Sequence, residues 1–530
     1  MDDKIHGEAE TAPHLKEKGL DPLTHSTVNA SGHEDSLQRQ YHLIATFSVA
    51  LTIDSAWTAL GGSLAIAIGM GLYITLIYWL TQKANGGPAG VLYEYLVACF
   101  CYLLIGASLA EFASSIPSTG GVYHWASVAS GPRYGRMVGF FAGLCNFFAW
   151  MFDLAGAYSI ASSSVLGMYS IWNDAYVPQA WHAYVTFVVL VFISCLVLIF
   201  GNRWLPVLNQ IGAFLVVGGG LITIIVCATM SQHAPSSFVW SNFSENNVTG
   251  WSDGVAFMIG VLNGAYTIGT PDGVTKLAEE LPNPSHDMPK AIFVQVGIGT
   301  ISGFLYAIAI LYSITDLDAV VAGEFPLTVI YGQATGSAAG AFGLLLILFL
   351  NVFVACITTY LAVSRAWWAL ARDNVTPLAK LFKQANSRLS CPIQSVIFVG
   401  IFCCGLGAIQ LGSAAAATDL FGSFIILSTL SYALAIAAHL LTRRRNIPKG
   451  PFWMGSAGFA INLSALAVIL VLDVFFCFPA LYTTTVSTMN YNSVILVGLA
   501  LLITAWWLVH GRSNYPTPKV LSLYTKDGLM

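Results

Sequence analysis

Charged residues are scarce in this chain of 530 residues. Asp, Glu, Lys and Arg make up 9% of it, and hydrophobic residues make up 56%, whereas soluble domains carry about 25% charged residues. So little charge excludes a water-soluble globule. Only helices and closed barrels satisfy the backbone in lipid, and the short alternating segments of barrel strands are missing. The sequence therefore predicts an all-α polytopic membrane protein.

Motifs of catalysis and of metal binding are also missing. The chain has no glycine-rich phosphate loop with lysine, no H-E-x-x-H or C-x-x-C sequence and no nucleophile elbow. Its ten cysteines lie mostly inside apolar runs without paired spacing, which supports neither a disulfide framework nor a zinc site. We therefore expect no enzyme activity, no cofactor, no metal and no nucleic-acid partner. Without an ATP-binding segment, any transport should be driven by an ion gradient or by the substrate's own gradient.

Apolar runs of about 20 residues predict twelve transmembrane helices. They lie near 43–68, 89–114, 136–169, 183–200, 206–230, 252–281, 290–314, 338–371, 393–410, 417–441, 457–479 and 491–511. With the amino terminus inside, all of the 22 Lys and Arg residues except Lys83 fall on cytoplasmic segments, as the positive-inside rule requires. Both termini are therefore expected in the cytosol.

The segments outside these helices divide the chain into three parts. Residues 1–41 are polar and mixed in charge and lack a hydrophobic core segment, so they predict a disordered cytosolic tail rather than a cleavable signal peptide. Residues 42–512 form the membrane domain, and residues 513–530 form a second cytosolic tail. Two sequons, at Asn242 and Asn247, lie in a predicted outer loop and indicate glycosylation.

Two of the predicted helices contain polar interruptions. The first, "LTIDSAWTALGGS", includes Asp54, Ser55 and Thr58 and predicts a break at mid-membrane; the alternative is an ordinary helix whose small residues pack against neighbours. The sixth is broken by "GTPDG", residues 269–273, because Pro271 cannot donate a backbone hydrogen bond. Breaks in helices 1 and 6 are typical of transporters built from two inverted five-helix repeats.

Acidic side chains in these spans are the first candidates for function, since charges in a membrane are costly. Asp272 stands at the second break, where it either touches a bound ammonium group or merely caps the following helix. Asp153 lies in the third helix and could form an acidic and aromatic box for an ammonium group with Trp150 and Tyr266. The alternative for Asp153 is a protonated or hydrated packing residue.

Three stretches together resemble the amino acid, polyamine and organocation transporter superfamily, in particular its fungal branch of amino acid, GABA and choline permeases. They are "NGGPAG" (85–90) with "SLAEFASSIPSTGGVYHWAS" (108–127), "GTPDGVTKLAEELPNPSHDMPKAI" (269–292) and "SRAWWALARDNVTPLAKLF" (364–382). The resemblance implies a LeuT-like fold with repeats at about 43–230 and 252–441, and two extra helices at about 457–511. It implies substrate binding at Asp54, Ser55, Trp57, Thr58, Gly269, Thr270 and Asp272, with Ala149, Trp150 and Asp153 facing the same cavity. Tyr266 joins these candidates as a ring of the acidic and aromatic box.

The function implied is secondary active import of a small amine-bearing solute by alternating access, coupled to protons, across the plasma membrane. An amino acid or GABA needs the backbone amides near Asp54 to Thr58 for its carboxylate, whereas acids and aromatic rings favour choline or another cationic amine. A transport-inactive nutrient sensor of the same fold is the alternative.

The stretch 69–84, "GMGLYITLIYWLTQKA", departs from the family pattern, in which "NGGPAG" follows the first helix more closely. It could extend the helix, lie at the interface or dip into the membrane. It is either a true insertion or an unspliced intron. Deletion of residues 69–84 should improve expression and activity if it is an intron, and should abolish trafficking if it is structural.

Overall fold

The computed structural model describes most of the chain. The described residues are 19–20, 27–28, 30–33, 37–69, 87–173, 175–241, 243, 247, 249–323, 325–386, 388–479, 481–482, 484 and 489–526. Apart from Gly69, the atypical stretch 69–84 lies outside them, as does the sequon at Asn242.

The predicted helices are present and are numbered here as spans 1 to 12. They are Leu43–Asp54 with Ala56–Gly69, Gly87–Ser115, Val122–Ser170, Ala180–Phe200, Asn202–Met230, Asp253–Ile268 with Gly273–Glu280, Pro284–Tyr312, Ala338–Arg372, Ile393–Gly412, Ala414–Leu441, Ala457–Phe476 and Asn492–Asn514. Shorter helices connect them at Ser236–Trp240, Leu317–Ala322, Pro326–Thr335 and Ala379–Phe382. Two-residue strands, Gly19–Leu20 and Thr27–Val28, pair antiparallel in the amino-terminal segment.

The all-α membrane fold is confirmed, with one difference in how the spans are counted. Eleven helices of the described part are long and apolar enough to cross a membrane. Span 6 is not among them because its two pieces, Asp253–Ile268 and Gly273–Glu280, are short. With these pieces taken as one interrupted span, the described chain has the twelve spans that the hydropathy pattern predicts.

Spans 1, 2, 3 and 10 form much of the interior of the bundle. The most apolar part of span 3 is 72% buried, whereas that of span 12 is 11% buried. Span 3 packs along spans 10 and 8, and span 2 packs along spans 6 and 7. Spans 11 and 12 therefore lie at the periphery, so the interior is built from the first ten spans.

The described parts of both terminal segments meet at one end of the bundle, called the terminal end below. Nε2 of His33 lies 2.8 Å from Oδ1 of Asp373, just after span 8. Burial opposes the ionisation of Asp373, but hydrogen bonds from His124 and His33 hold its pKa well below its ordinary value. The carboxy-terminal helix Lys519–Lys526 packs on span 3 at the same end.

The assignment of residues 1–41 to a disordered tail is therefore wrong for part of that segment. Tyr41 is fully buried, and the backbone N–H groups of Gln40 and Tyr41 donate to the carbonyl of Glu280 at 3.1 and 3.3 Å. Polar composition predicted disorder because it does not reveal partners that the folded bundle supplies.

Two buried ion pairs join span 6 to span 8 at the terminal end. Nε of Arg365 donates to Oε1 of Glu280 at 2.7 Å, and Arg372 makes a two-pronged contact with Glu279. Both acids belong to the second half of span 6, so that half-helix is held to span 8 by charge as well as by packing.

Gly264 allows spans 2 and 6 to pack closely, which gives a testable prediction. A Cβ atom there would lie 2.8 Å from Cβ of Ala98 and 2.9 Å from Cα of Tyr95. We expect Gly264→Ala to destabilise the protein by about 1–3 kcal/mol, since a backbone atom cannot give way easily. The measurement is thermal unfolding of the protein purified in detergent.

The matched control is Gly405→Ala in span 9, where a Cβ atom would meet nothing within 4 Å. This variant should be neutral or slightly stabilised, because alanine favours helix more than glycine does. Equal unfolding midpoints for the two variants would contradict the close packing of spans 2 and 6.

Candidate functional site

Span 1 is interrupted at a single residue. Ser55 adopts left-handed backbone angles, φ 40° and ψ 44°, between the helices that end at Asp54 and begin at Ala56. Its hydroxyl lies 2.6 Å from that of Thr58, whose Oγ1 donates to the Ser55 carbonyl at 2.8 Å. The predicted break is therefore present, and it creates a helix beginning with N–H groups of the kind that attract anions.

Span 6 is interrupted over four residues, Gly269 to Asp272. The first half-helix ends at Ile268, and a 3₁₀ helix begins at Gly273. Gly269 is closely packed, since a Cβ atom there would lie 2.5 Å from Cδ1 of Ile425 and 2.6 Å from the carbonyl of Ala265. The break thus sits inside the bundle and against span 10.

A polar joint made by Asp54, Thr270 and Gln295 connects the two breaks. Oγ1 of Thr270 and Nε2 of Gln295 each lie 3.2 Å from Oδ1 of Asp54. The same Gln295 amide lies 3.1 Å from Oγ1 of Thr270. The Asp54 carboxyl group is therefore occupied by neutral donors from spans 6 and 7, and it makes no ion pair among the described residues.

Asp272 is the centre of a second, charged cluster. Its carboxylate accepts hydrogen bonds from Nδ2 of Asn146 at 3.0 Å, Nε1 of Trp150 at 3.2 Å and the hydroxyl of Tyr432 at 2.5 Å. Nζ of Lys276 lies 3.0 Å from Oδ2. The Asp272 side chain is fully buried and makes no capping bond. The ammonium group that it binds is that of Lys276, which belongs to the protein itself.

Lys276 therefore lies where the basic-residue pattern did not predict it. The sequence assigned it to a cytoplasmic segment, but its ammonium group is buried beside Asp272, 2.6 Å from Oδ1 of Asn146 and 4.9 Å from the centroid of the Trp150 ring. The Asp–Lys spacing of four residues is the signal that could have indicated the pair.

Asp153 differs from the other two acids of this region. It is 9% exposed and has no hydrogen-bond or ion-pair partner in the part of the chain that the structure describes. It lies within electrostatic reach of Asp54, Asp272 and Tyr266. Its carboxylate is thus available to a ligand, whereas those of Asp54 and Asp272 are engaged.

Two rings of an aromatic cluster lie near Asp153: Trp150 is about one turn before it on span 3, and Tyr266 lies within its electrostatic reach. The rings of Trp150 and Tyr266 both meet the ring of Phe424 edge-on, at centroid distances of 6.0 and 6.2 Å. The sequence predicted the first two rings and missed Phe424, because nothing in span 10 distinguishes that phenylalanine from its apolar neighbours. Acid and rings together form the kind of arrangement that binds an ammonium group.

Some predicted residues lie apart from this group. Nε1 of Trp57 donates to the carbonyl of Val216 on span 5 at 2.8 Å, and its ring lies 5.3 Å from that of Tyr306 on span 7. The structure therefore uses Trp57 in packing and does not bring it to Asp153. Ala149 is fully buried on span 3.

Asn247, the described sequon residue, is part of a compact turn. Its Nδ2 donates to the carbonyl of Trp251 at 2.9 Å and to Oδ1 of Asp253 at 2.8 Å. Attachment of a glycan replaces one of the two hydrogens on Nδ2, so at most one of these two bonds could remain.

Comparison with known proteins decides the family. A profile of the amino acid permease family matches residues 54–501, from the break in span 1 to span 12. The chain belongs to this family of amino acid permeases. The resemblance to the amino acid, polyamine and organocation superfamily is thereby confirmed. This permease is accordingly a membrane transporter and not an enzyme.

Named relatives align over most of their length. The permease is 29% identical to a choline transporter of Saccharomyces cerevisiae, over 94% of this chain and 86% of the relative. It is 30% identical to the transmembrane transporter swnT of Metarhizium robertsii, over 89% and 95%. It is 25% identical to the amino-acid permease BAT1 of Arabidopsis thaliana, over 92% and 94%.

The cluster around Asp272 gives a second prediction. We expect Lys276→Met to destabilise the permease by about 3–5 kcal/mol, because Asp272 would keep a buried charge without its cation. The double variant Asp272→Asn with Lys276→Met should recover part of that loss. Thermal unfolding in detergent measures both effects. Lys290→Met, at an exposed position of span 7, is the control, and equal midpoints for it and Lys276→Met would contradict the role of the pair.

Proposed function

We propose that this permease imports a small solute with a positively charged amine, with choline as the first candidate. Import would be driven by protons through alternating access. The observation that carries the proposal is the unpartnered Asp153 carboxylate beside the rings of Trp150, Tyr266 and Phe424.

The balance of charge around the two breaks favours a cation. Lys276 neutralises Asp272, and neutral donors hold Asp54. Asp153 adds a negative charge that no cation among the described residues balances. An ammonium ligand would supply that balance, and contact with an aromatic face adds about 0.5–2 kcal/mol.

An amino acid or GABA needs a second partner for its carboxylate. Lys276 is already bound to Asp272 and Asn146, so the beginning of the half-helix at Ala56 is the remaining place for an anion. The carboxylates of Asp54 and Asp153 would repel that anion while they are ionised. These features support choline above the zwitterions, and the similarity to a named choline transporter supports the same order.

Uptake measurements test the substrate. In cells that lack their own permeases, we expect saturable uptake of labelled choline and weaker uptake of GABA and of a panel of amino acids. The uncharged isostere 3,3-dimethylbutanol should compete at least tenfold less well than choline, which corresponds to about 1.4 kcal/mol. Uptake of an amino acid but not of choline would contradict this order, and uptake of none would favour a sensor.

Asp153→Asn tests the residue that carries the proposal. We expect choline uptake at low concentration to fall at least tenfold, again about 1.4 kcal/mol, while the amount of protein at the cell surface stays the same. Asp316→Asn, which changes an exposed acid between spans 7 and 8, is the control. Unchanged uptake by Asp153→Asn would contradict a role for this carboxylate.

We also propose that the terminal end faces the cytosol and that the permease lies in the plasma membrane. Support comes from Arg365, Arg372 and Lys380, which lie at that end, as the positive-inside rule predicts. An epitope at either terminus should bind antibody only after the plasma membrane is permeabilised. Antibody binding to intact cells would contradict this orientation and place the tagged terminus outside.

A further inference from the structure

Span 2 contains a buried acid that the proposed substrate site does not use. Glu94 is 1% exposed. Its Oε1 is inaccessible to solvent and accepts no hydrogen bond from the described residues. Among the described residues it makes no hydrogen bond and no ion pair. Of the other buried acids near spans 2 and 6, six have partners: Asp54, Glu111, Asp272, Glu279, Glu280 and Asp473. Asp153 and Asp287, the latter in the first turn of span 7, have none among the described residues.

The Glu94 carboxyl group lies directly on the backbone of span 6. A Cβ atom at Gly260 would overlap all three heavy atoms of that group, and only a glycine leaves room for it. One turn further along, Gly264 packs against Ala98 and Tyr95. The first half of span 6 therefore closes over the carboxyl group and keeps water from it.

No charged group faces Glu94 from the elements that pack on span 2, which are spans 6, 7 and 11 and the helix Ser236–Trp240. Tyr266 lies within electrostatic reach of Asp153, and Tyr312 bonds Ser236. His286, Asp287 and Lys290 lie in the first two turns of span 7, at least nine residues before Gly299, which meets Tyr95.

The other titratable side chains of these elements are engaged elsewhere. Asp253 bonds Asn247, Tyr306 bonds Tyr331, Asp473 bonds Thr429, and Tyr95, on span 2 itself, bonds the carbonyl of Gly299. The helix Ser236–Trp240 carries no titratable side chain.

A carboxylate without a partner in such a place is very unfavourable, whereas the neutral acid can be accommodated. Ionisation requires water. Among the described residues the first half of span 6 covers the carboxyl group, so its movement away from span 2 would admit water. Protonation of Glu94 and the contact between these two helices are therefore coupled, and each shifts the equilibrium of the other.

We propose that Glu94 binds the proton that this permease transports. The inference rests on proton-coupled transport as the proposed function and names its ion site. With spans 2 and 6 in contact, Glu94 holds the proton as a neutral acid. When the first half of span 6 separates from span 2, the O–H bond breaks, water takes the proton and the carboxylate remains hydrated until the next proton arrives.

The test uses the full-length permease in proteoliposomes with labelled choline and an internal pH dye. Wild-type protein should accumulate choline when the outside is acidic, take up protons with it and lose accumulation when a protonophore is added. Glu94→Gln should lose accumulation at least tenfold and lose choline-dependent proton uptake. It should keep choline exchange across equal concentrations within about twofold, since exchange needs no net proton movement. Asp316→Asn should behave as wild type.

The outcomes separate the two proposals. If wild-type protein accumulates choline without any effect of pH or protonophore, proton coupling and the role of Glu94 both fail. If wild-type protein is coupled and Glu94→Gln is equally coupled, only the role of Glu94 fails. Glu94→Asp provides a second variant if Glu94→Gln does not fold. It should keep proton-driven uptake with a shifted dependence on external pH, and an unchanged profile would overturn the proposal.

Discussion

The ion pair between Asp272 and Lys276 is the interaction on which the centre of the permease depends. The break at Gly269 to Asp272 removes helical hydrogen bonds inside an apolar bundle, where polar groups without partners are costly. Hydrogen bonds from Asn146, Trp150 and Tyr432 join the pair to spans 3 and 10. A buried pair with complete hydrogen bonding tolerates such a place, whereas either charge alone does not. The interrupted helix is therefore fixed by charge and not by backbone geometry.

This pair also determines which acid is free to meet a solute. Of the three aspartates near the breaks, Asp272 is balanced by Lys276 and Asp54 is held by Thr270 and Gln295. Asp153 is left, next to an aromatic group whose tryptophan already lies near one ammonium group, that of Lys276. Cations are attracted to the face of an aromatic ring and not to its edge, so a second cation would use the opposite face of Trp150 or the faces of Tyr266 and Phe424. The residues around Asp272 thus stabilise the break in span 6 and also leave Asp153 as the acid that can select a positively charged solute.

The sequence predicted the span pattern well because hydropathy and basic residues report directly on burial in lipid. It predicted the breaks at Ser55 and Gly269 because proline, glycine and polar residues interrupt apolar runs there. The sequence did not reveal side-chain positions that depend on tertiary contacts. Lys276 was assigned to a cytoplasmic segment because a lone lysine carries no sign of its partner, and the direction in which Trp57 leaves its helix is not visible in one sequence. Gln295, Tyr432 and Phe424 lie on other spans, and no local pattern connects them to the breaks.

The second half of span 6 connects the site to the terminal end. Asp272 begins this short segment, and Glu279 and Glu280 end it, bound to Arg372 and Arg365 on span 8. Opening the terminal end would separate these buried pairs, each at a cost of about 3–5 kcal/mol if a charge were left unpaired. Water that enters the opening can solvate the freed charges and offset much of that cost. A solute at Asp153 can shift the balance only through its different affinity for the closed and open forms. Asp272 and the two glutamates lie at opposite ends of one short helical segment of eight residues, so a movement of the break at one end can be transmitted to the ion pairs at the other.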